Sequence, residues 1–328
     1  MKGKKEYIIL AAIIVAVVAY LVLRQTDRST YQLPALSKIP KKEISKVEIT
    51  DPEKSFAVNR KGDVWLIAPE DYSADPEKID RMLEIVSDLN LTAMVSESKN
   101  DQRYDLTPEK RIRVKAWAGK ALKREFDVGK TADTFRHTFV KIAGDDRIFH
   151  AENSFRDRFE TTLEALRDKT VLAFKSDEIG SIKIIKDGKT TTFAKKVEAE
   201  EEKQAEEPVS PEKNISQWVT PEGQVADSNK IKSFLSALSD LKCKRYLKDR
   251  TKHDLTDPVI SITLSDTKEY QLSVYAHGKN EEENPLWPAQ SSENNYPFLL
   301  ADFKAQDVVK DPGDLMPDKP KADNEDRE

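Results

Sequence analysis

The chain has 328 residues, and its 54 Lys and Arg against 59 Asp and Glu give a formal net charge of −5. Nucleic acid is a poor candidate partner for such a slightly acidic chain. The length suggests about two domains, and the only cysteine, Cys243, excludes a disulfide within the chain.

An uninterrupted apolar segment lies close to the N-terminus, at residues 7–23. As a helix it would span about 25 Å, near the lower limit for crossing a bilayer. Lysines dominate residues 1–6, so the positive-inside rule predicts a cytoplasmic N-terminus and an exported body. A cleaved signal peptide is the alternative, although an Ala-x-Ala cleavage site is missing where one is needed. The sequence therefore predicts a single-pass anchor in the cell inner membrane and a periplasmic body.

A polar segment containing Pro34 and Pro40 follows the apolar run, and we interpret residues 24–43 as a tether. A first folded region is then expected over residues 44–175. It opens with strand-like segments and a turn at residues 59–63. Asp75 and Pro76 are typical of a helix start, the first as N-cap and the second at the first helical position.

The predicted helix carries one apolar stripe, which is expected to be buried against a sheet. The stripe consists of Ile79, Met82, Leu83, Val86 and Leu89. The same spacing returns at Ile231, Phe234, Leu235, Leu238 and Leu241. Trp65 likewise returns as Trp218, and this equivalence favours core positions for both. The sequence thus predicts an α+β fold, in two tandem copies of one mixed sheet-plus-helix domain behind a single transmembrane helix.

The second copy is expected over residues 176–303. Its offset from the first copy grows from 135 at Ile44/Ile179 to 153 at Trp65/Trp218, and the acidic segment 197–216 accounts for the extra residues. A segment of that composition is predicted to be a mobile insert. Residues 304–328 are charged and contain proline, which predicts a disordered tail.

Several stretches resemble the domain-of-unknown-function 4340 family. Residues 104–108 (YDLTP) match the family's tyrosine-glycine-leucine-x-proline turn, with Asp105 in place of glycine. Val128-Gly129 lies where the family often has an aliphatic-glycine pair, and residues 166–174 (LRDKTVLAF) are the most specific match. The resemblance implies an anchored exported protein, often associated with ABC transporters of the gliding-motility type. It implies no catalytic residues.

Reactive motifs are weak throughout the sequence. Gly129-Lys130-Thr131 lacks the upstream glycine of a phosphate-binding loop, since that position is Arg124. His137 and His150 flank a hairpin turn at Gly144 and would face each other in only one strand register, so ordinary surface histidines are favoured over a metal site. Trp287 follows an acidic loop and is the better candidate for an exposed contact. We therefore predict no catalytic, cofactor-binding or metal-binding residues.

Repeated core and turn residues, without a repeated reactive constellation, favour a non-catalytic scaffold or accessory protein of an envelope complex. An ABC transporter is the partner that the resemblance implies. The alternative is a protein that binds or hydrolyses an envelope polymer or peptide, with its site between the two copies. Converging carboxylates or histidines would favour this alternative, and a flat apolar patch would favour the scaffold.

Overall fold

The structure is a computed structural model that describes residues 3–24, 31–97, 100–198, 215–278 and 285–318. The chain divides into two compact units, unit 1 from Met1 to Asp168 and unit 2 from Lys169 to Glu328. The first helix, α1, spans Gly3–Arg24. Its side chains are described at residue 7 and from residue 10 to residue 20, and all of these are exposed. Among the residues that the structure describes, no helix is long and apolar enough to cross a membrane.

Unit 1 is built around one nine-stranded sheet with three further helices. The helices are α2 (Pro76–Ser87), α3 (Arg156–Phe159) and α4 (Leu163–Leu166). The strands are β1 (Ile44–Thr50), β2 (Ser55–Lys61), β3 (Val64–Ala68), β4 (Tyr72–Ser73), β5 (Leu91–Ser96), β6 (Ile112–Ala118), β7 (Ala121–Thr131), β8 (His137–Ile142) and β9 (Ile148–Glu152).

The sheet of unit 1 runs β4-β3-β2-β1-β6-β7-β8-β9-β5, and its described pairings are antiparallel. Asp75 caps α2 as predicted, because its carboxylate accepts the backbone N–H groups of Glu77 and Lys78. All five residues of the predicted stripe are buried in the core together with Trp65, but α2 ends at Ser87, so Leu89 lies just after the helix and not on it. Hydrophobic residues alternate along strands such as β2 and β6, so one face of the sheet packs on the helices and the opposite, outer face carries polar residues there.

The segment predicted as a tether is packed onto unit 1 over residues 31–43, which we call the strap. Leu33 and Leu36 contact the core, and Ile39 is buried in it. The Arg124 guanidinium, itself buried, donates to the carbonyl oxygens of Val86 at 2.7 Å and of Ser37. The tether prediction was therefore wrong for the strap, because these apolar side chains and backbone hydrogen bonds fix it in place. The preceding residues 25–30 lie outside the described chain.

Unit 2 contains the two-stranded sheet β10-β14 and an eight-stranded sheet. Its helices are α5 (Ser228–Ser239) and α6 (Asp302–Val308). Its strands are β10 (Thr170–Ala173), β11 (Ser181–Lys186), β12 (Lys189–Glu198), β13 (Ile215–Val219), β14 (Asp240–Lys242), β15 (Arg245–Tyr246), β16 (Ile260–Ser265), β17 (Glu269–Val274), β18 (Leu286–Ser291) and β19 (Phe298–Ala301).

The larger sheet of unit 2 runs β13-β12-β11-β16-β17-β18-β19-β15. This is the order of the first sheet without its outermost two-residue strand, β4, whose place is held by a single bridge between Val219 and Val225. Asp227 caps α5 by accepting the N–H groups of Asn229 and Lys230, as predicted. Trp218 and all five residues of the second predicted stripe are buried in this core, but Leu241 lies in β14 and not on α5.

The boundaries of the second region differ from those predicted. Unit 2 begins at Lys169 rather than at residue 176, because β10 pairs with β14 and its Val171 and Leu172 enter the second core. The disordered tail was wrong for residues 304–318, since Ala305, Val308 and Leu315 are buried there. Residues 319–328 lie outside the described chain.

The acidic insert of residues 197–216 is mostly outside the described residues. Its two ends belong to the paired strands β12 and β13, with Glu198 opposite Ile215. The undescribed residues 199–214 therefore connect the two strands of a hairpin. Within the described chain the fold is mixed α+β with mostly antiparallel sheets, which confirms the predicted fold class at this level.

Candidate functional site on the outer face of the first sheet

The outer face of the first sheet carries a dense set of charged side chains at its centre. β6 shows how the sequence produces it: Ile112 and Val114 point into the core, while Arg113 and Lys115 alternate with them. We call this group of residues the charged face. Across β1, β6, β7 and β8 it comprises Lys46, Glu48, Arg113, Lys115, Glu125, Asp127 and Lys141.

Asp127 is the centre of the charged face and is 7% exposed. Arg113 lies opposite it on β6 and donates from Nε and Nη2 to its two carboxylate oxygens at 2.8 and 3.1 Å. Arg111 adds a third hydrogen bond of 2.9 Å from Nη1. The hydrogen bonds to Asp127 raise the pKa of Arg113 above its usual range. Two guanidinium groups thus hold one carboxylate in a fixed, forked geometry.

Further ion pairs extend from this centre across the neighbouring strands. Glu125 lies 3.4 Å from Lys115 and 3.8 Å from Arg113, measured between charged atoms. On β8, Lys141 reaches Asp101 at 3.3 Å and Asp146 at 3.7 Å. The signs therefore form stripes: β6 is positive, β7 is negative, and Lys141 on β8 is positive again.

A polar depression of about 390 Å³ opens beside these stripes, between Arg111 on one side and the β8–β9 turn on the other. Asp145 in that turn is held by Arg147 at 2.7 Å, and the hydrogen bonds from Arg147 lower the pKa of Asp145. The carboxylates here accept from, or lie within ion-pair distance of, basic side chains. Such a surface is suited to recognising a partner's polar groups.

An aromatic and histidine cluster lies further along the same face of β8 and β9. His137 and His150 are diagonal neighbours, because His150 pairs with Phe139, and their rings stack at 5.0 Å between centroids. Burial, and secondarily His137, lowers the pKa of His150. Among the described residues, no group of three or more His, Cys, Asp or Glu is placed to hold a metal ion.

The turn that carries the family resemblance covers this cluster. The Tyr104 ring contacts Phe139 at 4.7 Å, and Leu106 is fully buried. A Cβ atom at Gly129 would overlap the Tyr104 carbonyl oxygen, so only glycine permits this close approach. Asp105 has a φ of 56°, the left-handed conformation that glycine favours and aspartate tolerates. The two short motifs therefore act together, in packing.

At the centre of the corresponding face of unit 2, the positions of Arg113, Asp127 and Lys141 are held by uncharged residues, although Lys183 on the neighbouring β11 is charged and exposed. Ser261 and Ser273 share a hydroxyl hydrogen bond of 3.2 Å across β16 and β17. Gln290 on β18 donates to the hydroxyl of Tyr275 at 2.5 Å. Trp287, predicted as an exposed contact, instead packs partly against the core and donates from Nε1 to Asp302 at 2.8 Å. That prediction was wrong, because Trp287 pairs with Leu300 on β19, and β19 leads directly into α6, whose first residue, Asp302, accepts the indole N–H.

The charged face was not predicted from the sequence, although its residues were visible there. Arg111, Arg113 and Lys115 alternate with apolar residues, as do Glu125 and Asp127. This pattern is common on solvated strands, and only the strand order places the acidic pair between two basic strands.

A comparison with protein families gives one match. The family described as "Domain of unknown function (DUF4340)" matches residues 65–258, which include most of the charged face. No curated protein and no solved structure matches the chain.

Proposed function

Because this chain belongs to the family described as a domain of unknown function (DUF4340), we propose its function from its own geometry. We propose a membrane-anchored, extracytoplasmic scaffold without catalytic activity, which binds a protein of the cell envelope through the charged face. An ABC transporter is the partner that the family resemblance suggests. The paired charges on an ordered sheet are the observation that carries this proposal.

The anchor is proposed from the sequence of residues 7–23, which contains no charged residue. These residues lie within α1, and the apolar run itself would extend about 25 Å as a helix. Leu10, Ile13 and Val18 are each more than half exposed in this helix. A helix with exposed apolar side chains on all sides needs an apolar environment, and we propose that a lipid bilayer provides it. The lysines at residues 2, 4 and 5 would then keep the N-terminus on the cytoplasmic side.

The binding role rests on the rigidity and chemistry of the charged face. Asp127 is held by two arginines, so their side chains have little freedom left to lose when a partner binds. The adjacent indole of Trp117 lies under the Lys46 ammonium at 4.5 Å and adds apolar area beside the charges. Arginine and tryptophan are the residues of this face that are enriched at protein interfaces, and Arg113 and Trp117 therefore support a protein partner.

The two units are proposed to be copies of one domain. Their larger sheets follow corresponding orders, and their helices begin with equivalent aspartate caps. The backbone N–H of Asp75 donates to the Leu166 carbonyl, as that of Asp227 does to Leu315, both at 2.9 Å. Leu166 is the last residue of the short helix α4, and Leu315 is the last residue of a short 3-10 helix, Pro312–Leu315.

Photocrosslinking in intact cells tests the binding role. A photoreactive residue replaces Lys115 on the charged face, and a matched variant carries it at Thr263, the equivalent position of unit 2. We expect position 115 to yield a discrete adduct with an envelope protein that position 263 does not yield. Arg113→Glu should abolish the adduct by reversing one stripe. The same adduct at both positions, or insensitivity to Arg113→Glu, would contradict the assignment of the charged face.

A reporter fused after Glu328 tests the topology separately. We expect it to be active only outside the cytoplasm, because the basic residues precede the apolar run. Cytoplasmic activity would overturn the localisation and the envelope partner together.

A further inference from the structure

We propose that the strap end of unit 1 docks on the headgroups of anionic lipids, so that the unit rests on the bilayer in one orientation. The docking surface, which we call the basic end, consists of Lys42, Glu43, Lys120, Leu122 and Lys123. This inference rests on the anchor in the proposed function and specifies which side of the folded body faces the membrane.

Strand pairing brings these residues together. Ala118 pairs with Ile44 at the start of β1 and with Ala121 at the start of β7. The β6–β7 turn therefore lies beside the point where the strap enters the sheet. A groove of about 500 Å³ runs between strap residues 35–43 and residues 122–125. The strap and the hairpin form one continuous surface.

The basic end has the composition of a headgroup-binding surface. All five of its residues are exposed, and three lysines stand against one glutamate. Leu122 is 47% exposed between Ala121 and Lys123. Ammonium groups attract lipid phosphates, and a leucine at the headgroup boundary gains an apolar contact.

The opposite end of the same strands has the reverse balance. There the β1–β2 turn and the start of β6 surround a second depression. Its charged residues are Asp51, Glu53, Lys54, Asp105, Glu109, Lys110, Arg156 and Glu160, five acidic and three basic. The two clusters thus carry opposite net charge, which favours the basic end over the other cluster at an anionic surface.

The short connection between α1 and the strap is the reason to propose a membrane as the binding partner of this surface. The strap is fixed from Gln32, whose carbonyl accepts a hydrogen bond of 3.2 Å from Arg147. Eight residue steps separate Gln32 from Arg24 at the end of α1, and a fully extended chain of that length spans less than about 30 Å. With α1 in the bilayer, this short connection keeps the strap end of unit 1 close to the membrane surface.

Site-specific quenching in vesicles tests this orientation with the full chain. Cys243→Ser provides a background for one dye, attached at Leu122→Cys or, as control, at Phe135→Cys. Phe135 is 78% exposed in the turn at the other end of β7, roughly 30 Å away. The vesicles contain phosphatidylcholine alone or with phosphatidylglycerol, and a nitroxide on the lipid headgroup is the quencher. In anionic vesicles, we expect quenching at position 122 to exceed that at position 135 about twofold or more.

Charge reversal identifies the cause of any difference. Lys120→Glu with Lys123→Glu should remove the excess quenching at position 122. Lys183→Glu with Lys189→Glu, which makes the same charge change at exposed positions of unit 2, should leave it unchanged.

Three results would overturn the inference. The first is equal quenching at the two positions, and the second is the same excess in vesicles without phosphatidylglycerol. The third is dye self-quenching at position 122 that rises with protein density, which would identify a second copy of this chain as the occupant. Flotation with the vesicles is measured first. A chain that does not float lacks the anchor and removes both proposals, whereas a floating chain without the excess at position 122 removes only this one.

Discussion

The outer faces of the two units show how one sheet plan can carry two different surfaces. Strand register matches Arg113, Asp127 and Lys141 of unit 1 with Ser261, Ser273 and Gln290 of unit 2. A row of ion pairs in unit 1 corresponds to a row of hydroxyl and amide groups in unit 2. The core positions beneath remain apolar in both units, for example Val114 and Ile262. Apolar residues on the buried side are thus common to the two sheets, whereas the residues on the outer side differ.

A second difference lies at one position beside this row. Register aligns Gly129 of unit 1 with Tyr275 of unit 2, since Val128 pairs with Ile112 as Val274 pairs with Ile260. In unit 1 the backbone of the Tyr104 turn fills the space above Gly129. In unit 2 the position that corresponds to Gly129 carries the Tyr275 side chain, which is 6% exposed. The same place is covered by a loop in one unit and by a ring in the other.

The largest expected effect tests whether the two helices are equally buried. Leu83→Ala and Leu235→Ala should each lower the free energy of unfolding by roughly 2–5 kcal/mol, because both side chains are removed from a packed core. Chemical denaturation of the full chain in detergent, followed by tryptophan fluorescence, measures this. Each change should mainly shift the transition of its own unit. A severe Leu83→Ala beside a neutral Leu235→Ala would break the equivalence of the two helices.

Gly129→Ala tests the close approach that only unit 1 requires. The new Cβ would overlap the Tyr104 carbonyl oxygen and meet Leu106 Cγ at 3.0 Å, so we expect a loss of about 3 kcal/mol. Gly180→Ala in unit 2 is the matched control, since its Cβ would have only ordinary contacts at 3.8 Å. That control should stay within about 0.5 kcal/mol of the parent. A Gly129→Ala variant as stable as the Gly180→Ala control would mean that the Tyr104 turn moves away from the new Cβ at little energetic cost.

Asp127→Asn tests the ion-pair row. It leaves Arg111 and Arg113 facing a neutral amide at a mostly buried position, and we expect a loss of about 2 kcal/mol. This is below the usual range for buried pairs, because both guanidinium groups are partly exposed to solvent. Ser273→Ala at the equivalent position should cost less than about 0.5 kcal/mol. An Asp127→Asn chain as stable as the parent would show that the ion pairs of Asp127 with Arg111 and Arg113 do not stabilise the folded state.

The aspartate caps of α2 and α5 test a feature that the two units share. Asp75→Ala and Asp227→Ala each remove an acceptor for two backbone N–H groups, and each should cost about 1 kcal/mol. Thermal unfolding of each variant is the measurement. Losses that differ severalfold between the two would place different capping contacts at the two helix starts.

The smallest expected effect is a pH dependence confined to unit 1. Burial lowers the pKa of His150 in the folded chain, whereas an unfolded histidine titrates near about 6.5. As the pH falls below that value the unfolded chain binds the proton more readily, so stability is complete above it and declines toward the folded pKa. Unfolding transitions measured between about pH 7.5 and pH 5.5 should show unit 1 weakening, and His150→Phe should remove that part of the slope. An unchanged slope in this variant would assign the effect to other groups.

Sequence patterns predicted the parts of the fold that depend on local periodicity. The stripes of α2 and α5, both aspartate caps and both buried tryptophans were found in this way. The strap and the end of unit 2 were missed, because their few apolar residues, such as Ile39 and Leu315, are too widely spaced to form a period. The charged face required the order and register of four strands. These depend on contacts between residues far apart in the sequence, which local patterns do not encode.

The striped arrangement of the charged face has a consequence for the kinetics of recognition. Positive β6 and negative β7 are neighbouring strands, about 5 Å apart, so their fields cancel within a screening length of about 8 Å at physiological ionic strength. A partner would therefore not be steered from a distance, and its association rate should vary little with salt. Discrimination begins at contact. If a partner's complementary row of charges binds one strand away from the correct position, it faces like charges and is repelled. The stripes therefore disfavour shifted alignments as well as favouring the correct one.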